Sequence, residues 1–204
     1  LIWDMDGTLF DTYPAINRAM QETLAEFGVS VPLETIAPLM AETFDHCLST
    51  LAAQYDLDAA AIGERYHQRS ARIPRQAQPP FPGVIALLRR VAAAGGGNFI
   101  FTHRGRESLH AFLAFYDLAD LFADMATVDD GYPRKPDPAG FLALIGRNRL
   151  PLAEVLAVGD RALDIQAGQA AGIATCFFGA EPPANVTPDF VITAYEDLPP
   201  LLGL

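Results

Sequence analysis

Asp4 and Asp6 stand two residues apart behind a short apolar run in LIWDMDGTLFDT. Two carboxylates this close suit nucleophilic attack, proton transfer or the holding of a cation. They also repel each other, so a positive group must compensate. Of the 14 basic residues, only Lys135 is a lysine, so any chemistry that needs an ammonium group must use it. Three further clusters have the same placement behind apolar or turn-rich stretches. Thr102, His103 and Arg104 follow NFIF, Lys135 lies in GYPRKPDP, and Asp160, with Asp164 beyond it, follows VLAVG.

The elements that would carry these residues follow from periodicity. Leu1 to Trp3 reads as the last half of a buried strand whose end delivers Asp4 and Asp6 onto a tight loop. From about Pro14 to Gln76 the apolar positions have helical spacing. The helix candidates run from Pro14 to Gly28, then Pro32 to Met40, Phe44 to Tyr55 and Ala59 to Ile73. The Pro-rich RQAQPPFPG reads as a linker. Beyond Gly83, helices and apolar strands alternate. The expected strands are NFIF, Met125 to Val128, VLAVG, ATCFF and FVI, and the expected helices run to Ala94, from Glu107 to Phe115, from Ala139, and from Leu163 to Ala171. Such alternation builds an α/β fold with a parallel sheet and helices on both faces, and ligands of such sheets bind beyond the strands' carboxyl ends. Asp4, Asp6, Thr102, Lys135 and Asp160 all fall there.

Composition narrows the partners. A formal charge of −11 over 204 residues, with no block of Lys or Arg, argues against nucleic acid and anionic membranes and for a small ligand. No apolar run approaches a membrane span, so a cytoplasmic protein is expected, as a monomer or homodimer. The missing initiator Met implies that a few residues precede Leu1. Cys47 and Cys176 have no metal-ligand spacing and are expected to be reduced and buried.

DMDGTLFDT, the strand ending at Thr102, RKPDP and VGDRALDIQAG together resemble, in order and spacing, the motifs of the haloacid dehalogenase superfamily. The helical block is similar to the cap of its phosphoglycolate phosphatase-like branch. The resemblance implies a Rossmann-like three-layer core over 1–12 and 78–204, with an inserted all-helical cap over 13–77. It implies an Mg²⁺-dependent phosphatase acting on a small phosphorylated metabolite. In chemical terms, Asp4 would attack phosphorus and form an aspartyl-phosphate, and Asp6 would protonate the leaving oxygen. Asp4, Asp160 and Asp164 offer hard oxygens for Mg²⁺, and the family's pattern adds the main-chain carbonyl of Asp6. Thr102 and Lys135 would hold the phosphoryl oxygens, with His103 and Arg104 as further substrate contacts. A sugar phosphomutase of the β-phosphoglucomutase type is the alternative, and a non-catalytic binding protein on this fold is another.

Plainer roles are expected elsewhere. Asp11 reads as a helix cap before Pro14. Arg65, Arg69 and Arg72 have the spacing of an exposed helix face, and His46, His67 and His110 read as ordinary helix residues. Asp160 and Asp164 also fit a helix start. Gly7, Gly159 and Gly168 mark close backbone approaches.

Overall fold

The structure is a computed structural model that describes residues 1–204. Six parallel strands form one sheet in the order β3-β2-β1-β4-β5-β6. They are β1 (Ile2–Trp3), β2 (Phe99–Phe101), β3 (Asp124–Ala126), β4 (Leu156–Gly159), β5 (Ala174–Phe178) and β6 (Phe190–Ile192). The first strand in the chain is therefore central, with Ile2 paired to Phe99 on one side and to Ala157 on the other.

Alternate side chains on each strand face opposite layers. Trp3, Ile100, Leu156 and Val158 pack with apolar residues of α5 (Val84–Ala93) and α6 (Arg106–Phe115). Ile2, Phe99, Phe101 and Ala157 pack with α7 (Ala139–Asn148) and α8 (Ala162–Ala170). Both faces are covered, which is why these strands read as continuous apolar runs.

The chain divides into two compact units, Leu1–Phe10 with Pro80–Leu204, and Asp11–Pro79. The second is all helical: α1 (Tyr13–Glu26), α2 (Leu33–Glu42), α3 (Phe44–Tyr55) and α4 (Ala59–Ser70). Its own core holds Met20, Leu24, Ile36, Leu51 and Ile62, all essentially inaccessible to solvent.

Two local expectations change. The strand expected to reach Val128 ends at Ala126. Val128 opens a 3₁₀ turn closed by Asp130, whose carboxylate accepts from Thr127 N at 2.7 Å. Asp11 does not cap α1. The cap position is Thr12, with helical backbone angles and no side-chain bond. Pro14, the second residue of the helix, lacks one of the two N–H groups that could donate such a bond. No helix is long and apolar enough to cross a membrane.

Candidate active site

The sheet order explains how residues far apart in sequence meet. β2, β1 and β4 are neighbours, and Thr102, Asp4 and Asp160 immediately follow their carboxyl ends. Lys135, from the segment after β3, joins them. Its Nζ lies 2.6 Å from Asp4 Oδ1 and 2.7 Å from Asp164 Oδ1, and its side chain is fully buried. The ammonium also sits 4.7 Å from the ring centre of Phe101 and 5.9 Å from that of Phe141, rings supplied by β2 and α7. These faces accept the charge that water would otherwise stabilise.

Burial alone would weaken Lys135's hold on its proton, but Asp164 and Asp4 outweigh it and raise its affinity for the proton. The two carboxylates respond differently. Burial pushes Asp4 up to about 6 despite Lys135 and Arg161. Asp164 feels the same burial, but Lys135, Arg161 and a hydrogen bond from Arg161 N hold it below the ordinary carboxylate range. Asp164 is thus the more firmly ionised partner of the ammonium. It also accepts from Arg161 N at 3.1 Å at the start of α8, so its helix-start role and its place in the cluster coexist.

One carboxylate oxygen from each of Asp4, Asp160 and Asp164 lies within 4.8 Å of the others. Asp4 Oδ2 is buried without a hydrogen-bond partner. An orphaned anionic oxygen beside two further carboxylates is a donor set that suits a hard divalent cation such as Mg²⁺. Asp160 is oriented by Thr8, whose hydroxyl donates to Oδ1 at 2.9 Å. Gly159 admits Asp164, since a Cβ at 159 would lie 2.3 Å from Asp164 Cβ. Gly7 (φ +80°) makes the turn after Asp6, donating its N–H to Phe10 O.

The remaining expected residues are close by, with specific partners. Thr102 is buried, and its hydroxyl accepts from Arg104 N at 3.1 Å, which leaves its proton for a ligand. His103 Nε2 accepts from Lys135 N at 2.9 Å. Burial, with Lys135, Arg161 and Arg134 nearby, brings its pKa down to about 3. His103 is therefore a neutral imidazole that anchors the lysine's backbone. Asp6 points its carboxylate at Arg104, with Nη2 2.5 Å from Oδ1 and Nε 3.2 Å from Oδ2.

Thr8 and Arg161 were not singled out in the sequence. Thr8 sits inside the DGT turn beside residues that were, and Arg161 is a cation adjoining Asp160. Arg161 lies 4.0 Å from Asp4 and 3.8 Å from Asp164.

Other residues read from the sequence have partners of their own. In the helical unit, Arg65 pairs with Glu26, and Arg69 pairs with Glu22 and Glu26. These arginines, with Arg18 and Arg72, line a groove of about 490 Å³ between α1 and α4. Cys47 and Cys176 are buried and unpaired, and burial pushes their thiols up to about 11 and about 12.

Comparison with known proteins agrees with this geometry. A Yersinia pseudotuberculosis protein named phosphoglycolate phosphatase is 29% identical over 213 residues, covering 99% of this chain and 92% of the relative. A Rhodospirillum rubrum protein of the same name is 30% identical over 184 residues, covering 85% of this chain and 76% of that one. A hydrolase structure from Streptococcus pneumoniae superposes with a TM-score of 0.67 at 28% identity, covering all of this chain and 97% of the other. A hydrolase from Pseudomonas syringae shares the fold with a TM-score of 0.78 at 22% identity, covering 99% and 96%. The model of the haloacid dehalogenase-like hydrolases matches residues 1–178, from the DMDGT strand through β5. With its motif residues gathered at the ends of three adjacent parallel strands, the chain belongs to the haloacid dehalogenase-like hydrolase family.

Proposed function

We propose that the protein is an Mg²⁺-dependent phosphatase that hydrolyses a small phosphate monoester, phosphoglycolate-like or a sugar phosphate, through an aspartyl-phosphate on Asp4. The observation that carries the reading is Lys135 bridging Asp4 and Asp164 while one oxygen of Asp160 lies within 4.8 Å of theirs. A phosphate monoester repels anionic nucleophiles, so its hydrolysis needs fixed cations beside a positioned carboxylate. The names of the relatives described above favour a phosphoglycolate-like substrate.

In the first step the Asp4 carboxylate attacks phosphorus, and the bond from phosphorus to the ester oxygen breaks. Asp6 gives that oxygen its proton, so the alcohol departs neutral. In the second step Asp6 takes a proton from water, whose oxygen attacks phosphorus and restores Asp4. Lys135 and the Thr102 hydroxyl hold the equatorial oxygens as their charge grows. Asp4, Asp160, Asp164 and the Asp6 carbonyl are the groups that would hold Mg²⁺. When bound, the ion supplies positive charge to the phosphoryl oxygens and screens the repulsion between the acids. His103 keeps Lys135 in register.

The test is phosphate release from 2-phosphoglycolate and from a panel of sugar phosphates, with Mg²⁺ and with a chelator. Metal-dependent turnover that Asp4→Asn abolishes is expected. Turnover equal to that of the Asp4→Asn variant would contradict the reading.

A further inference from the structure

Both carboxylate oxygens of Asp6 are engaged by the Arg104 guanidinium, through Nη2 at 2.5 Å and Nε at 3.2 Å. The third nitrogen, Nη1, donates to Ser108 Oγ at 3.0 Å, and the guanidinium carbon lies 4.7 Å from the Phe112 ring centre. Ser108 and Phe112 both belong to α6, so the guanidinium is braced from a helix while its fork faces Asp6. The ion pair is mostly shielded, with side chains 19% and 24% exposed.

This arrangement conflicts with the work assigned to Asp6. Two charge-assisted bonds hold both of its carboxylate oxygens to the guanidinium. To reach the ester oxygen it must give up at least one of them. The guanidinium cannot lose its own charge, so it needs another anion that offers two oxygens to its fork.

We propose that Arg104 is a substrate-sensitive latch on Asp6, released when a carboxylate or second phosphate on the leaving group takes its place on the guanidinium. The inference rests on the phosphatase reading and narrows its substrates to esters whose leaving group carries an anion a few bonds from the ester oxygen. The α6 contacts keep the guanidinium in place during the exchange. An ester with a neutral leaving group leaves the latch closed and reacts slowly, although its phosphoryl group meets the same Asp4, Thr102 and Lys135. Selectivity then arises from freeing a catalytic group as well as from binding.

The experiment compares 2-phosphoglycolate with 2-hydroxyethyl phosphate, a neutral ester of nearly the same shape, for wild type and Arg104→Met in Mg²⁺. Wild type is expected to prefer the anionic ester in kcat/KM. In Arg104→Met that preference shrinks by roughly 10- to 100-fold, the worth of a charged hydrogen-bond pair, and the neutral ester turns over faster than with wild type. Equal losses on both esters would mean that Arg104 merely holds Asp6 still, and would overturn the latch. So would a wild type that turns over both esters equally well.

A second measurement needs neither turnover nor an altered Arg104. In Asp4→Asn with isotope-labelled arginine, the Arg104 Nε–H resonance should move on adding 2-phosphoglycolate and stay put on adding 2-hydroxyethyl phosphate. If it moves with neither or equally with both, the latch is wrong. If wild type hydrolyses neither ester and none of the sugar phosphates while the resonance still discriminates, the phosphatase reading fails and the anion exchange at Arg104 stands.

Discussion

Lys135 Nζ lies 2.6 Å from Asp4 Oδ1, so the chain's one lysine is committed to the carboxylate proposed as nucleophile. The same nitrogen holds Asp164, and all three side chains are buried. Lys135→Met would leave two buried carboxylates with only the more distant Arg161 guanidinium to offset them. A loss of about 3 kcal/mol in unfolding free energy is expected, typical of a broken buried ion pair. A fall in kcat of roughly 100-fold or more is expected with it. Chemical denaturation in chelator and steady-state kinetics in Mg²⁺ check the two effects.

Asp4 carries a pH signature. Its folded pKa, about 6, is above the ordinary 3.8. The fold therefore favours the protonated acid, and the stability this contributes is present below about pH 4 and lost as pH rises through 6. In metal-free buffer, Asp4→Asn should gain on wild type in melting temperature between those limits. Added Mg²⁺ at neutral pH should stabilise wild type and leave the variant nearly unmoved. A constant gap across the pH range would contradict this account of the buried charge.

His103 has the opposite sign. Its folded pKa, about 3, lies below the ordinary 6.5, so the neutral ring is part of the native state. That contribution is complete above about pH 6.5 and disappears as pH falls towards 3. His103→Gln, which keeps an acceptor for Lys135 N, should therefore lose less stability than wild type on acidification from pH 6.5 to 4. Thermal melts of the two proteins over that range decide it.

Thr8→Val removes the hydroxyl that orients Asp160 and preserves the side chain's shape. Loss of such a supporting bond typically costs about 10- to 100-fold in metal affinity. Calorimetric titration with Mg²⁺ should show that weakening, while the melting temperature in chelator changes little.

Gly159→Ala places a methyl group 2.3 Å from Asp164 Cβ, a short side chain fixed at the start of α8. Asp164 must move from the position in which it meets Lys135. Destabilisation of about 1–3 kcal/mol is expected from the overpacking, with a drop in kcat, and denaturant titration beside kinetics would measure both.

The strand-end residues of the site were legible in the sequence because buried parallel strands read as apolar runs, and Asp4, Thr102 and Asp160 each follow one directly. The helical block was legible for a similar reason, since an apolar stripe at helical spacing does not depend on what packs against it. What stayed hidden was pairing across the fold. Nothing local tells that Thr8 turns towards Asp160, that His103 accepts from Lys135 N, or that Arg104 forks onto Asp6. Those contacts follow from the strand order, which brings β2 and β4 to either side of β1. Asp11 misled because its type suits a cap, whereas the helix starts one residue later than that role requires, with Thr12 at the cap position and a Pro removing one of the two N–H groups a cap would bind.

The most direct test of the central claim is to quench the enzyme during turnover of 2-phosphoglycolate in Mg²⁺, reduce it with borohydride, and locate the modified residue by peptide mass. The account predicts that an acyl-phosphate forms and that reduction converts the Asp4 side chain to an alcohol, only when substrate and metal are both present. Reduction at Asp6 instead, or an unmodified Asp4 during undiminished turnover, would contradict it.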